Sequence, residues 1–321
     1  MFWKRPIRLS YLVLAGALAS CAVQKNPYAT TNRSYQQQVK AYAEALRATP
    51  VLTPGADSLL MGQYWVGTTN FNMRKPNIVV IHHTAQDSTG QTLRTFTLPR
   101  TQVSAHYVIG RDGRVYHMLN DYLRAWHGGV ARWGNDTDIN SSSIGIELDN
   151  NGLQSFAEPQ LASLLKVLAG LKKTYNIPTA NFIGHSDIAP SRKTDPSVLF
   201  PWKRLADSGF GLWYDAGPLP SPDPAPPLPL DSLVALAGVG AVPGTVLAPV
   251  NTAVIDAQLA AANAPVSTFK PQEALRIIGY DTRNLPAAIQ AFKLHFIQQN
   301  VNGPLTEADR RILFNLYKKY L

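Results

Sequence analysis

The sequence predicts a mixed α/β fold, a central sheet flanked by helices, followed by a small C-terminal three-helix bundle. Three observations carry this expectation. Residues 61–215 alternate strand-like and helix-like segments. A hairpin signal, Gly110-Arg111-Asp112-Gly113, lies between two short apolar runs inside that stretch. After a proline-rich interval, residues 266–321 return to short apolar repeats at helical spacing.

Taken in order, Tyr35–Arg47 reads as one short helix in an otherwise polar spacer at 21–60. Asn77–His83 reads as a buried strand, because Ile78-Val79-Val80-Ile81 is an unbroken apolar run of mostly β-branched residues. Ala105–Ile109 and Val115–Leu119 flank the hairpin turn, and Ser143–Leu148 is a further strand. Pro159–Tyr175 sets Leu161, Leu164, Leu165, Leu168 and Leu171 on one helical face, with Lys172 and Lys173 in the last turn. Proline dominates 216–229, and 230–265 is rich in Ala, Val, Pro and Gly, so 216–265 reads as a linker or insert. In the final stretch one helix stops at Gly279, a second begins with Pro286 in its first turn, and a third is capped by Thr306 with Asp309 three residues on.

Composition narrows the class of protein. Hydrophobic residues make up 45% and aromatics 9%, which supplies a packed core and excludes a wholly disordered chain. Lys4, Arg5 and Arg8 precede an apolar run from Leu9 to Ala19, the pattern of a signal peptide at 1–20 and too short for a transmembrane helix. The only cysteine, Cys21, follows directly in Leu18-Ala19-Ser20-Cys21. This resembles the lipobox of bacterial lipoproteins; the alternative is an ordinary secretory leader in which Cys21 is incidental. The resemblance implies lipidation at Cys21 and anchoring to a membrane. With Ala22 rather than Asp next, it further implies the periplasmic face of a Gram-negative outer membrane. Loss of residues 1–20 removes those three basic residues and no acidic one, taking the net charge from +9 to +6. A mildly basic exported chain suits an anionic wall polymer and argues against nucleic acid as the partner.

Two strands end in histidine: Ile78-Val79-Val80-Ile81 runs into His82-His83, and Phe182-Ile183-Gly184 into His185. Neighbouring residues on a strand face opposite ways, so at most one of His82 and His83 faces a common site. Asp195 lies in Ser191-Arg192-Lys193-Thr194-Asp195-Pro196. The residue before a proline is biased to extended geometry, so Lys193 and Asp195 share a face. Glu147 stands in the otherwise apolar Ile144-Gly145-Ile146-Glu147-Leu148, where an unpartnered carboxylate is costly.

Residues 78–204 resemble the type 2 zinc amidases, the N-acetylmuramoyl-L-alanine amidases that include phage lytic amidases and peptidoglycan recognition proteins. The matching segments, in the family's order, are Val80-Ile81-His82-His83-Thr84-Ala85, Ser104-Ala105-His106-Tyr107-Val108-Ile109, Ala125-Trp126-His127, Ser143-Ile144-Gly145-Ile146-Glu147, and Gly184-His185-Ser186-Asp187-Ile188-Ala189-Pro190 with Lys193-Thr194-Asp195-Pro196. The resemblance implies a Zn2+ cofactor held by His82, His185 and Asp195, with Glu147 as catalytic carboxylate and Lys193 as its cationic partner. A set of two nitrogens and one oxygen leaves the fourth zinc position open to water, as catalytic sites require. His106, Trp126 and His127 are assigned to the substrate cleft or to structure; Trp133 is open between groove and core. Residues 266–321 resemble three-helix peptidoglycan-binding modules through Leu275-Arg276-Ile277-Ile278-Gly279-Tyr280, Ala288-Ile289-Gln290-Ala291-Phe292 and Asn302-Gly303. The whole resembles outer-membrane lipoprotein amidases that join the two domains, and departs from them in its long Pro/Ala-rich segment. The expected reaction is hydrolysis of the muramoyl-L-alanine amide in peptidoglycan or muropeptides. The alternative is a muropeptide receptor or wall tether that cuts nothing.

Overall fold

A computed structural model describes residues 26–47, 68–70, 72–222 and 269–321. The expected leader at 1–20, Cys21 and most of the 216–265 segment lie outside the described residues. Ala29–Arg47 (α1) is a 19-residue helix with no buried residue and belongs to a separate unit, Met1–Phe71. It begins six residues before the expected Tyr35, through Ala29-Thr30-Thr31-Asn32-Arg33-Ser34, where Thr, Asn and Ser have weak helix propensity. Residues Asn72–Leu321 form one compact unit.

That unit is built on five strands: Ile78–His83 (β1), Tyr107–Ile109 (β2), Val115–His117 (β3), Ser143–Leu148 (β4) and Phe182–Gly184 (β5). Their spatial order is β3-β2-β4-β1-β5; β2 and β3 form the predicted antiparallel hairpin and the other pairs are parallel. Parallel strands covered on both faces read as continuous apolar runs, which is how β1 and β4 read. Alternation sorts their side chains. Val79 and Ile81 of β1, with Ile144, Ile146 and Leu148 of β4, share a core with Leu161, Leu164, Leu168 and Leu171 of Glu158–Tyr175 (α4). Full burial of each such leucine is worth about 1.5–3 kcal/mol. On the opposite face Ile78, Val80 and Ile183 meet Ala131, Ile139, Ile188 and Ala189.

Short helices fill the connections: Thr89–Thr97 (α2), Ile139–Ser142 (α3), His185–Ile188 (α5) and Trp202–Asp207 (α6). Helix α2 carries threonines and a glycine that favour other conformations, and it is held by Ser88, whose side chain accepts from the Gln91 amide at 3.2 Å.

The C-terminal part consists of Pro271–Ile278 (α7), Leu285–Phe292 (α8) running into a π-helical turn at Lys293–Ile297, and Glu307–Tyr320 (α9). The expected stops and starts are present. Gly279 ends α7 at φ +133°, and Thr306 and Asp309 form a reciprocal capping box. The core of these helices also takes in Trp133, Trp213 and Tyr214 from the chain preceding them. Trp133 therefore packs on Tyr280, with ring centroids 5.2 Å apart, and serves the core. Polar bonds join the same surfaces: the Gly134 amide donates to the Gly279 carbonyl at 2.7 Å, and Gln298 donates to the Val198 and Phe200 carbonyls at 3.0 and 2.6 Å. No described helix is long and apolar enough to cross a membrane.

Candidate metal centre

Three parallel strands deliver three side chains in one row. His82 of β1 is in register with Glu147 of β4, so the two share a face at the carboxyl ends of their strands. On the other side β5 pairs Val80 with Ile183, and two residues further along the same face stand His82 and His185. Asp195 reaches the row from the loop after α5; its carbonyl accepts from the Ser186 amide at 2.8 Å.

One atom from each of His82, His185 and Asp195 meets in a small triangle. Nδ1 of His82 is 2.9 Å from Nδ1 of His185, and these atoms lie 3.2 and 3.1 Å from Oδ2 of Asp195. Zinc bonds of about 2.0–2.1 Å in a tetrahedron imply ligand–ligand edges of about 3.3 Å. The triangle thus matches one face of such a site, and the donor set fits zinc chemically. Among the described residues these three form the one group arranged to hold a metal ion.

The electrostatics favour a ligand set ready at neutral pH. Burial, with His185 nearby, pulls His82 down to about 4, so its imidazole stays neutral. Burial opposes ionisation of Asp195, yet hydrogen bonds from His185 and His82 outweigh it and hold the carboxyl below its ordinary range. Glu147 is buried and stands beside the triangle, its Oε1 3.9 Å from Nδ1 of His82. Its Oε2 is buried with no hydrogen-bond partner. Burial pushes this carboxyl up to about 8; the charge of Asp195 adds to the rise and that of Lys193 opposes it. Lys193 is half-buried, and its charge acts on both His82 and Glu147.

The remaining candidates separate by position. His83 faces away from the triangle, and its Nδ1 accepts from the Ser197 amide at 3.1 Å, which ties β1 to the loop carrying Asp195. His106 is fully buried, with Nδ1 accepting from the Gly145 amide and Nε2 against the Leu123 carbonyl, both at 3.0 Å, so it is a structural residue and not a cleft residue. Trp126, which immediately precedes His127, is exposed at 53%, and its amide donates to Oγ of Ser104 at 2.8 Å. His127 is buried, its Nδ1 3.0 Å from Nε2 of His82, so it stands behind that ring and does not line an open cleft. Sequence reasoning did not single out Asn140, which accepts from the amides of His127 and Gly128, because backbone partners so distant in sequence are brought near only by the fold. Nor did it give a role to Asp187, whose Tyr280 and His295 partners lie about 90 to 110 residues further along the chain.

Comparison with known proteins agrees with this geometry. The N-acetylmuramoyl-L-alanine amidase family matches residues 72–198. The chain is 32% identical over 265 residues to the N-acetylmuramoyl-L-alanine amidase AmiD of Escherichia coli, covering 76% of this chain and 83% of that protein. It is 39% identical over 108 residues to the 1,6-anhydro-N-acetylmuramyl-L-alanine amidase AmpD of Haemophilus influenzae, covering 33% of this chain and 59% of that one. Among solved structures, E. coli AmiD in complex with anhydro-N-acetylmuramic acid-L-Ala-D-gamma-Glu-L-Lys superposes with a TM-score of 0.58 at 29% identity, over 81% of this chain and 95% of that one. AmpDh3 of Pseudomonas aeruginosa superposes with a TM-score of 0.57 at 26% identity, over 84% and 99% of the two chains. With AmiD at 32% identity matched over 83% of its own length, the chain belongs to the N-acetylmuramoyl-L-alanine amidase family.

Proposed function

We propose that the chain hydrolyses the amide between N-acetylmuramic acid and L-alanine in muropeptides or peptidoglycan, with a zinc ion held by His82, His185 and Asp195. When bound there, zinc supplies Lewis-acid activation of water and of the scissile carbonyl. The observation that carries the reading is the buried, unpartnered Oε2 of Glu147 beside a triangle of metal-type ligands. A structural carboxylate at such depth would be hydrogen-bonded; one kept free is available to a substrate or a water.

Glu147 takes a proton from the attacking water as the carbon–oxygen bond forms, and returns it to the alanine nitrogen as the carbon–nitrogen bond breaks. Its raised pKa suits a group that must both accept and give a proton. Lys193 places its positive charge where the carbonyl oxygen becomes an oxyanion. Exposed Trp126 offers an apolar face for the sugar or peptide at the rim. The relatives named above act on anhydro-muropeptides in two cases, and we extend that substrate class to this chain. The leader and Cys21 support placement of the mature enzyme as a lipoprotein on the periplasmic side of the outer membrane.

The test is amide hydrolysis of purified muropeptides with zinc content measured in parallel. Wild type should hold about one zinc and release stem peptide beginning with L-alanine, and Asp195→Ala should lose the metal. Glu147→Ala should keep the metal and lose activity by about 10²–10⁴-fold. A wild-type chain that binds muropeptide and releases nothing would make it a wall receptor.

A further inference from the structure

Both candidate ligand histidines face the metal triangle through Nδ1, which leaves two Nε2 atoms to be held from behind. One dipeptide meets both. The His127 side chain stands against His82, with Nδ1 3.0 Å from Nε2. The next residue, Gly128, turns its carbonyl to Nε2 of His185 at 3.2 Å.

We infer that His127-Gly128 is the outer support of the metal centre, His127 acting as the positioning residue that fixes the tautomer and ring orientation of His82. This rests on the metal reading above.

Proton directions along the chain agree with it. With Nδ1 of His82 given to a metal, its Nε2–H donates to Nδ1 of His127. His127 must then carry its proton on Nε2, which is 3.1 Å from Oγ of Ser143, and Ser143 donates in turn to the Ile139 carbonyl. Every donor points away from the metal and the chain ends on an acceptor, so one protonation pattern satisfies all members. On the second branch the Gly128 carbonyl also accepts from Arg192 at 2.6 Å, and Arg192 reaches the Val130 carbonyl at 2.8 Å.

The fold spends residues on holding this dipeptide. Buried Asn140 accepts from the amides of both His127 and Gly128, at 3.2 and 2.8 Å. Gly145, central in β4, has an ordinary strand conformation, so its lack of a side chain is not a backbone requirement. A Cβ there would overlap the His127 ring, so Gly145 is the seat into which that ring fits. A ring packed merely to fill space needs no acceptor aligned on a ligand and no donor aligned on a serine.

The test measures zinc affinity by chelator competition and the visible spectrum of the cobalt-substituted protein, in wild type, His127→Ala, His127→Asn and Gly145→Ala. Loss of an outer-shell partner costs about 10–100-fold in metal affinity, and that loss is expected for His127→Ala and Gly145→Ala. His127→Asn, whose amide oxygen replaces the Nδ1 acceptor, should recover most of it with a near wild-type cobalt spectrum. Melting of the metal-free proteins identifies any variant that fails to fold, and the comparison then stands on the other two. Wild-type affinity in His127→Ala and Gly145→Ala overturns the inference, as does equal loss in His127→Ala and His127→Asn. A wild-type chain that binds no zinc overturns the metal reading itself, and this inference with it.

Discussion

His295 donates from Nδ1 to Oδ2 of Asp187 at 2.7 Å, joining the π-helical turn of the C-terminal part to the short helix that begins with His185. Asp187 is fully buried; it also accepts from the Tyr280 hydroxyl at 2.8 Å and from the Gly184 amide at 2.7 Å. His295 is itself stacked on Trp202, with ring centroids 3.8 Å apart. A carboxylate two residues from a candidate metal ligand thus takes two of its three donors from the C-terminal part, Tyr280 just past the end of α7 and His295 in the π-helical turn.

Removing one of those donors leaves a buried acceptor short of a partner. His295→Ala is expected to lower stability by about 2–4 kcal/mol, from the lost charge-assisted bond and the lost stacking. The sheet and the C-terminal helices should unfold in one transition, visible as agreement of calorimetric and van't Hoff enthalpies. Two separate transitions, or a change under 0.5 kcal/mol on the same variant, would contradict a shared core.

Gly279 makes a sharper local prediction. Its φ of +133° is unfavourable for a residue with a side chain, and a Cβ there would sit 2.5 Å from Cε2 of Trp133. Gly279→Ala should therefore cost about 1–3 kcal/mol in a denaturant titration without altering zinc content. A neutral result would show that Trp133 yields easily and that the junction is looser than its packing implies.

Metal removal should lower thermal stability as well as activity. A ligand bound only by the native state contributes about 2.7 kcal/mol at a free concentration 100 times its dissociation constant. Chelation is expected to lower the melting temperature and added zinc to restore it. Asp195→Ala should melt at the same temperature with and without zinc. A zinc-induced rise that persists in that variant would place the metal elsewhere.

Lys193→Ala separates charge stabilisation from metal binding. If Lys193 acts on the developing oxyanion, kcat should fall by about 10²–10³-fold while zinc content is kept. An unchanged kcat would return Lys193 to the role of a solvated basic turn.

Much of the site was legible along the chain because its elements are locally encoded. The apolar run before His82, the short run before His185 and the isolated carboxylate at Glu147 are each visible within a few residues. The caps of the last helices, Pro286 and the Thr306/Asp309 pair, were equally readable, since capping is satisfied within one helical turn. Helix α2 and the early start of α1 were not, because threonine and polar residues have weak local preference and tertiary or flanking contacts decide them.

The sequence by itself determined which residue types stand at strand ends, where the C-terminal helices start and stop, and that His82 and His83 must face opposite sides. Only the tertiary structure decided what those faces meet. It turned His83 toward the Ser197 amide, buried His106 in the scaffold, set His127 behind His82 in the space left by Gly145, and carried His295 across to Asp187. The physical reason is range: propensity, alternation and capping act over a few residues, whereas a hydrogen bond between residues 187 and 295 exists only once a common core has brought the two segments together.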